Sequence, residues 1–154
     1  MKIVNLIIIC VASVMLCGCG EYQKAQKSKD ADYKLDFAQR AYEKKQYVQA
    51  YTILADIIPA FKGTEKAEDA LYLMAMSYYD NKEYKTASAY FKNYYTRFPR
   101  GKYTELARYY CGYGYFIDSP EPQLDQSDTV KAIEELSNFI EYYPRSERTP
   151  AAQN

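Results

Sequence analysis

Apolar side chains recur every three or four residues along most of the chain after residue 30, which is the spacing of helices with one buried face. The pattern predicts helices over about 30–45, 47–58, 65–80 and 84–98, separated by short turns that are polar or contain proline. Thr64 precedes the third of these helices, and we expect its side chain to cap that helix. Short turns favour antiparallel neighbours, so the chain is predicted to form pairs of helices.

The helices follow an internal repeat, because positions 37 residues apart carry side chains of the same kind. A shift of 45 residues continues the series into a third unit, and the additional residues fall in a loop over 118–128 that contains two prolines. The predicted repeat domain covers 30–154, with units over 30–63, 64–100 and 101–145 and a next helix that is truncated. Matching positions include Ala50 with Ala87, Leu54 with Phe91, and Phe61 with Phe98.

Small residues recur where the two helices of each unit would cross. Two helices can approach closely only where a side chain is small, and larger side chains then fill the space between neighbouring pairs. This arrangement resembles the tetratricopeptide repeat, although its period exceeds the usual length of about 34 residues. It predicts an all-α fold of about three helical-hairpin repeats that form a right-handed solenoid. The small residues are Ala38, Ala75 and Gly112 on the first helices and Ala50, Ala87 and Ala132 on the second.

The first 18 residues have the features of a lipoprotein signal peptide. Lys2 provides a positive start, and residues 3–16 are apolar apart from one Asn and one Ser, a run too short to span a bilayer. The sequence LCGC at 16–19 resembles a bacterial lipobox, so we expect cleavage before Cys19 and lipidation of its thiol. The alternative is an ordinary secretory signal. Residues 19–29 are polar and lack apolar periodicity, which predicts a lipid-anchored tether in the form of a solvated linker.

The composition excludes several classes of function. Lysine plus arginine and aspartate plus glutamate both total 20, so the chain lacks the basic excess of a typical nucleic-acid-binding protein. It contains no histidine, which removes the usual catalytic base and the commonest metal ligand. After cleavage before Cys19, Cys111 is the only free thiol, and we expect it to be a small buried residue. These features predict a protein that is not an enzyme and has no cofactor or metal site.

The 19 tyrosines indicate a binding surface. In a tetratricopeptide array the first helices line a groove, and tyrosine combines a large contact area and a low entropic cost with a polar tip. We expect the groove to bind peptides with aromatic ends; the alternative is that several of these rings pack between neighbouring repeats. The predicted groove positions are Leu35, Gln39 and Tyr42, then Tyr72, Met76 and Tyr79, then Tyr109, Tyr113 and Phe116.

Longer stretches of the sequence are similar to one family in particular. The second unit contains GTEKAEDALYLMAMSYYDNKEYKTASAYFKNYYTRFP, and the third contains YFIDSPEPQLDQSDTVKAIEELSNFIEYYPRSER. Together with the tether sequence EYQKAQKS, these segments resemble the N-terminal part of the BamD (ComL) family of outer-membrane assembly lipoproteins, of the Bacteroidetes type.

The resemblance implies a lipid-anchored scaffold subunit of the β-barrel assembly machinery on the periplasmic face of the outer membrane. The implied partners are the barrel-forming subunit, the other assembly subunits and unfolded segments of outer-membrane proteins. A repeat lipoprotein that coordinates cell-wall synthesis or envelope constriction is the alternative. Members of the family carry more repeats than this sequence holds. A repeat array needs a polar terminal cap, and the next helix is truncated here, so we expect a fragment, or a partner that covers the exposed apolar face formed by Ile133, Leu136 and Ile140.

Overall fold

The computed structural model describes residues 20–153, which form helices and turns and no β-strand. The expected signal peptide and the expected lipid attachment at Cys19 lie outside these residues. The helices within them are α1 (residues 20–27), α2 (Ala31–Glu43), α3 (Tyr47–Ile57), α4 (Glu65–Asp80), α5 (Tyr84–Arg97), α6 (Thr104–Ile117), α7 (Ser127–Tyr142) and α8 (Thr149–Gln153), with a 3₁₀-helix at Ile58–Phe61.

Consecutive helices pack against each other in pairs, as α2 with α3, α4 with α5, and α6 with α7. The predicted all-α, tetratricopeptide-like fold is confirmed. The loop predicted over 118–128 lies between α6 and α7 and ends where α7 begins, at Ser127. Contacts of α3 with α4 and of α5 with α6 join the successive pairs, so each unit buries its apolar face against the next.

The small residues predicted at the helix crossings are buried. Ala38 and Ala75 are fully buried on the first helices of their pairs, and Gly112 is buried at the same place on α6. A Cβ atom on Gly112 would lie only 2.8 Å from Cγ of Leu136 on α7, so even alanine would require the helices to shift. Glycine at this position therefore permits the close contact between α6 and α7.

Equivalent turns join the helices of the first two pairs. Lys45 and Lys82 correspond in the repeat, and both adopt left-handed backbone angles, with φ of 59° and 65°. The amide of Gln46 donates to the carbonyl of Ala41 at 2.8 Å, and the second turn makes the equivalent hydrogen bond at 3.0 Å. This Schellman pattern satisfies a carbonyl at the end of the first helix. The repeat in sequence is thus also a repeat in backbone conformation.

Threonine hydroxyls contact the backbone at the junctions between units. Thr64 lies at the N-cap position of α4, but its hydroxyl donates to the carbonyl oxygen of Phe61 at 2.8 Å and makes no capping hydrogen bond. The predicted side-chain cap is therefore wrong, because the hydroxyl donates to this carbonyl oxygen and accepts no hydrogen bond from a backbone amide of α4. The same kind of hydrogen bond recurs at the other two junctions, from Thr104 to Phe98 at 2.6 Å and from Thr149 to Tyr143 at 2.7 Å.

The helix α1 packs onto the repeat domain, which corrects the prediction of a solvated linker in this region. Ala25 of α1 is fully buried, and the ring of Tyr22 stacks on that of Phe37 in α2, with 6.0 Å between centroids. Glu21 accepts a hydrogen bond from the guanidinium of Arg40 at 2.9 Å. Apolar and ionic contacts therefore fix α1 to α2.

The outer face of α7 carries apolar side chains, as the sequence predicts. Ile133 is 63 % exposed, whereas Leu136 and Ile140 are half-buried. Together with Phe116 of α6 and residues of α8, they border a groove of about 420 Å³. The short helix α8 thus covers part of this face and leaves Ile133 in solvent.

Candidate functional site: a tyrosine groove

A cavity of about 400 Å³ lies where α2, α4 and the turn before α6 meet. It brings together four of the nine predicted groove residues, which come from the first helices of two successive pairs. They are Gln39 and Tyr42 of α2 and Tyr72 and Met76 of α4. The cavity is also lined by residues that the sequence prediction did not include, namely Asp69, Leu73, Lys102 and Tyr103.

The other five predicted residues lie outside this cavity. Leu35 and Tyr109 are each only 8 % exposed. Tyr79 is half-buried against aromatic rings of α5 and α6. Tyr113 stacks on Phe116 at 5.8 Å between centroids, but Phe116 belongs to the separate groove beside α7.

Aromatic rings connect the cavity to the third unit. The ring of Tyr72 stacks on that of Tyr103 at 4.1 Å, and Phe91 of α5 contacts the rings of Tyr72 and Tyr79 at 5.9 and 6.2 Å. Tyr79 in turn meets Tyr110 of α6 edge to face at 4.9 Å. We call this row of tyrosines, together with the cavity, the tyrosine groove. Its tyrosines are Tyr42, Tyr72, Tyr79, Tyr103, Tyr109, Tyr110 and Tyr113.

The hydroxyl groups of the tyrosine groove are of two kinds. Tyr42 donates a hydrogen bond to Asp80, and Tyr103 donates one to Asp69 at 3.1 Å. The remaining hydroxyls have no hydrogen-bond partner within residues 20–153, although packing holds their rings in place. A positioned hydroxyl without a partner is free to donate to a ligand and to accept from it. These five groups belong to Tyr72, Tyr79, Tyr109, Tyr110 and Tyr113.

Burial raises the pKa of three phenols of this groove. It raises the pKa of Tyr72 and of Tyr79 above the ordinary value of 10.0, and neighbouring tyrosines raise both pKa values further. Burial also raises the pKa of Tyr109. Tyrosine hydroxyls are already protonated at neutral pH, and the raised pKa values keep these three groups hydrogen-bond donors at more alkaline pH as well.

Two basic side chains lie beside the tyrosines. Lys102 Nζ is 2.5 Å from Oδ1 of Asp69 and 4.9 Å from the ring centroid of Tyr103. The guanidinium of Arg148 is 6.0 Å from the ring centroid of Tyr109 and has no carboxylate partner in the part of the chain that the structure describes. The groove thus combines aromatic faces, neutral hydroxyls and an unpaired cation, which suits a ligand with aromatic groups and a carboxylate.

Some of the residues that the prediction did not include follow from helical spacing. Asp69 lies three residues before Tyr72, and Tyr110 lies three residues before Tyr113, so each shares a helix face with a predicted residue. Lys102 lies in a turn between helices, where helical periodicity gives no signal.

The thiol of Cys111 is buried and unsuited to act as a nucleophile. Cys111 is fully buried on α6, and burial raises the pKa of its thiol to about 12. The thiolate is the reactive form, and it is not populated at neutral pH in this environment. Among residues 20–153, no three His, Cys, Asp or Glu side chains are grouped so that they could hold a metal ion.

We expect Cys111 to react with a thiol reagent only when the protein unfolds. We also expect its ionisation in the unfolded chain to lower the free energy of unfolding at alkaline pH. An unfolded thiol ionises above pH 9.0, whereas the folded one keeps its proton up to about pH 12. The stability that this group contributes is therefore complete below pH 9 and lost as the pH rises towards 12, with a slope of about 1.4 kcal/mol per pH unit. Urea denaturation across this range, compared with Cys111→Ala, measures the slope. Rapid labelling of the folded protein, or the same slope in the variant, would contradict the prediction.

The paired helices, with a cavity between the first helices of successive pairs, define a tetratricopeptide-like helical-repeat protein. Residues 26–154 match the YfiO family, described as outer membrane lipoprotein, and the chain belongs to this family. The match confirms the resemblance to the BamD family that the sequence predicts. A comparison with curated proteins finds no match. None of the helices in residues 20–153 has the length and apolar character needed to cross a membrane.

Proposed function

We propose that this protein is a scaffold subunit that assists the folding and insertion of outer-membrane β-barrel proteins. Lipid on Cys19 anchors it to the periplasmic face of the outer membrane. The tyrosine groove binds extended segments of unfolded barrel proteins, or a loop of the barrel-forming subunit, without covalent chemistry. The observation that carries the proposal is the row of five positioned tyrosine hydroxyls without a partner in residues 20–153.

The chemistry of an unfolded barrel strand matches this groove. Such strands alternate apolar and polar residues and carry aromatic residues near the membrane interfaces. Side chains on one face of an extended segment recur about every 7 Å, so successive aromatic groups can pack on successive tyrosine rings. The backbone amides and carbonyls between them then meet the unpaired hydroxyls. Tyrosine is suited to this role because it offers apolar area and a polar tip at a low entropic cost.

Charge supports the recognition of a carboxylate by the same groove. Lys102 is largely neutralised by Asp69, whereas Arg148 has no carboxylate partner within the described chain. An arginine beside an aromatic ring binds a carboxylate through a pair of parallel hydrogen bonds. We propose that Arg148 pairs with the terminal or side-chain carboxylate of a bound segment that ends in an aromatic residue.

Family membership supports the proposed location. The family is one of outer membrane lipoproteins. Each buried methylene of an acyl chain contributes about 0.8 kcal/mol, so several chains on one cysteine make attachment stable. A groove held at that surface would meet barrel proteins before they insert.

Removal of two groove hydroxyls is expected to weaken peptide binding about fivefold or more. The double variant Tyr72→Phe/Tyr79→Phe keeps the ring contacts but loses two hydroxyls, and each hydrogen bond contributes about 0.5–1.5 kcal/mol. Fluorescence anisotropy with a labelled peptide from the C-terminal strand of a β-barrel protein gives the Kd.

The matched control for this experiment is Tyr115→Phe/Tyr142→Phe. These hydroxyls also lack a hydrogen-bond partner in residues 20–153, but they do not belong to the tyrosine groove. We expect the control to bind the peptide as the wild-type protein does. Unchanged affinity in the folded groove variant, or an equal loss in the control, would exclude the groove as the binding site.

The role in barrel assembly is tested with full-length, lipidated protein purified from detergent-solubilised membranes. We expect a large β-barrel protein with periplasmic repeats to co-purify. Recovery of cell-wall enzymes or division proteins in its place would favour the role in envelope constriction and would leave the repeat fold unaffected. The tyrosine groove would then be a docking site for those proteins.

A further inference from the structure

The exposed side of α1 carries lysines without acidic partners. Residues 20–29 contain three lysines and one glutamate, although the whole chain has a formal net charge of zero. Lys24 and Lys27 lie on α1, and Lys29 follows it. In the described part of the chain, Lys24 contacts only the ring of Tyr33, and the other two lysine side chains have no hydrogen bond or ion pair.

The acidic residues of this region are bound to partners other than these lysines. Glu21 is paired with Arg40, and Asp32 with Lys66 at 2.7 Å. The Asp30 carboxylate caps α2, where Oδ1 accepts hydrogen bonds from the backbone amides of Asp32 and Tyr33 at 2.9 and 3.1 Å. The positive charge of the three lysines is therefore not balanced by a direct contact within residues 20–153.

Lys24 and Lys27 are three residues apart and face the same cavity, of about 460 Å³. Ser28, Asp30 and Tyr33 complete its lining, and Lys24 Nζ lies 5.6 Å from the ring centroid of Tyr33. Ammonium groups beside a phenol suit a membrane–water interface, because anionic headgroups attract lysine and tyrosine is enriched at headgroup depth.

We propose that this side of α1 is a membrane-contact site that binds the anionic headgroups of the lipid surface to which Cys19 is anchored. The inference rests on the lipid anchor of the proposed function. Because the described part of α1 begins at the residue after Cys19 and rises about 1.5 Å per residue, Lys24 and Lys27 lie within about 11 Å of residue 20. The packing of α1 on α2 then transmits the contact to the repeats, so that the membrane fixes the orientation of the whole domain.

The test uses the lipidated mature protein in vesicles of phosphatidylcholine, with or without phosphatidylglycerol. A fluorophore on Gln23→Cys, an exposed position of α1, reports proximity to the surface through quenching by spin-labelled headgroups. Cys111 is fully buried and does not compete for the label. We expect about twofold more quenching in vesicles with phosphatidylglycerol. High salt, or the added substitutions Lys24→Gln/Lys27→Gln/Lys29→Gln, should abolish the difference.

The control variant is Lys44→Gln/Lys62→Gln/Lys82→Gln. It removes the same charge from exposed lysines whose side chains also lack partners in residues 20–153, and we expect wild-type quenching. Equal quenching in both kinds of vesicle, or an equal loss in the control, would overturn the contact site. Flotation with the vesicles in high salt tests the anchor separately. Protein that does not float would overturn the anchor itself, and the contact site with it.

Discussion

Replacement of Phe91 by alanine is expected to lower the free energy of unfolding by about 3–5 kcal/mol. Phe91 is fully buried on α5, and its ring contacts tyrosines of both neighbouring helices, α4 and α6. The substitution removes these contacts together and leaves a cavity between two joined units. A close-packed interior relaxes only partly around such a cavity. Urea denaturation followed by circular dichroism measures the change.

The same variant tests whether the core supports the tyrosine groove. The ring of Phe91 contacts Tyr72, Tyr79 and Tyr110, so peptide affinity should fall even where the variant remains folded. Phe116→Ala is the control, because this phenylalanine is 53 % exposed and its loss should cost less than about 1 kcal/mol. Equal destabilisation by the two substitutions would show that burial of Phe91 does not account for its effect.

The repeat fold could be predicted because the same pattern of small and large apolar residues occurs in each unit. Tyr47 and Tyr84 correspond in the repeat, and each begins the second helix of its pair. The preceding turns place Lys45 and Lys82 in the same left-handed conformation, although neither is a glycine. A pattern of small and large apolar residues that recurs in three units identifies helix pairs even where single residues are poor signals.

The helix α1 could not be predicted from its own sequence. Its described part spans eight residues, with Tyr22 and Ala25 as the apolar side chains, and a segment of this length is not a stable helix alone in water. Its position depends on Phe37 and Arg40, which lie on α2 and are unrelated to it by any local spacing. Tertiary contacts therefore decide the structure of this segment.

The candidate site was predicted in part, because adjacent helix positions differ by about 100° around the axis. The sequence predicts Tyr109, which lies in the tyrosine groove at 8 % exposure, but it does not predict the neighbouring Tyr110, which is half-buried and contacts Tyr79. The sequence pattern does not predict the groove residues that lie in turns, for a different reason. Lys102 and Arg148 reach the groove through the arrangement of the units, which helical periodicity does not specify.

Hydrogen bonding separates the structural tyrosines from those available to a ligand. Tyr94 donates to Glu68 at 2.5 Å, and Tyr95 donates to the buried carboxylate of Glu135 at 2.7 Å. The first bond joins the two helices of the second pair, and the second joins α5 to α7 of the next pair. Both bonds satisfy buried groups, so both tyrosines have a sufficient structural role. The partnerless hydroxyls of the tyrosine groove have no such role within residues 20–153. A count of tyrosines cannot make this distinction, because the residue type is the same.

Replacement of Cys19 by alanine is expected to abolish attachment to the outer membrane. Its thiol is the proposed site of acylation, and several acyl chains, at about 0.8 kcal/mol per buried methylene, supply most of the membrane affinity. Separation of inner and outer membranes, together with incorporation of labelled palmitate, measures the loss. The described contacts of α1 with α2 come from Tyr22 and Glu21, which the substitution leaves in place, so we expect unchanged thermal unfolding of the repeat domain.

The matched control for this substitution is Cys17→Ala, because Cys17 should leave with the signal peptide. Palmitate labelling that persists in Cys17→Ala and is lost in Cys19→Ala would assign the lipid to Cys19; any other pattern would contradict the assignment. The lysines of α1 do not change this expectation. Near an anionic surface each contributes about 1 kcal/mol, far less than several acyl chains. The Cys19→Ala variant should therefore be lost from the outer membrane even though its three lysines are intact. The lysines orient the domain, whereas the lipid retains it.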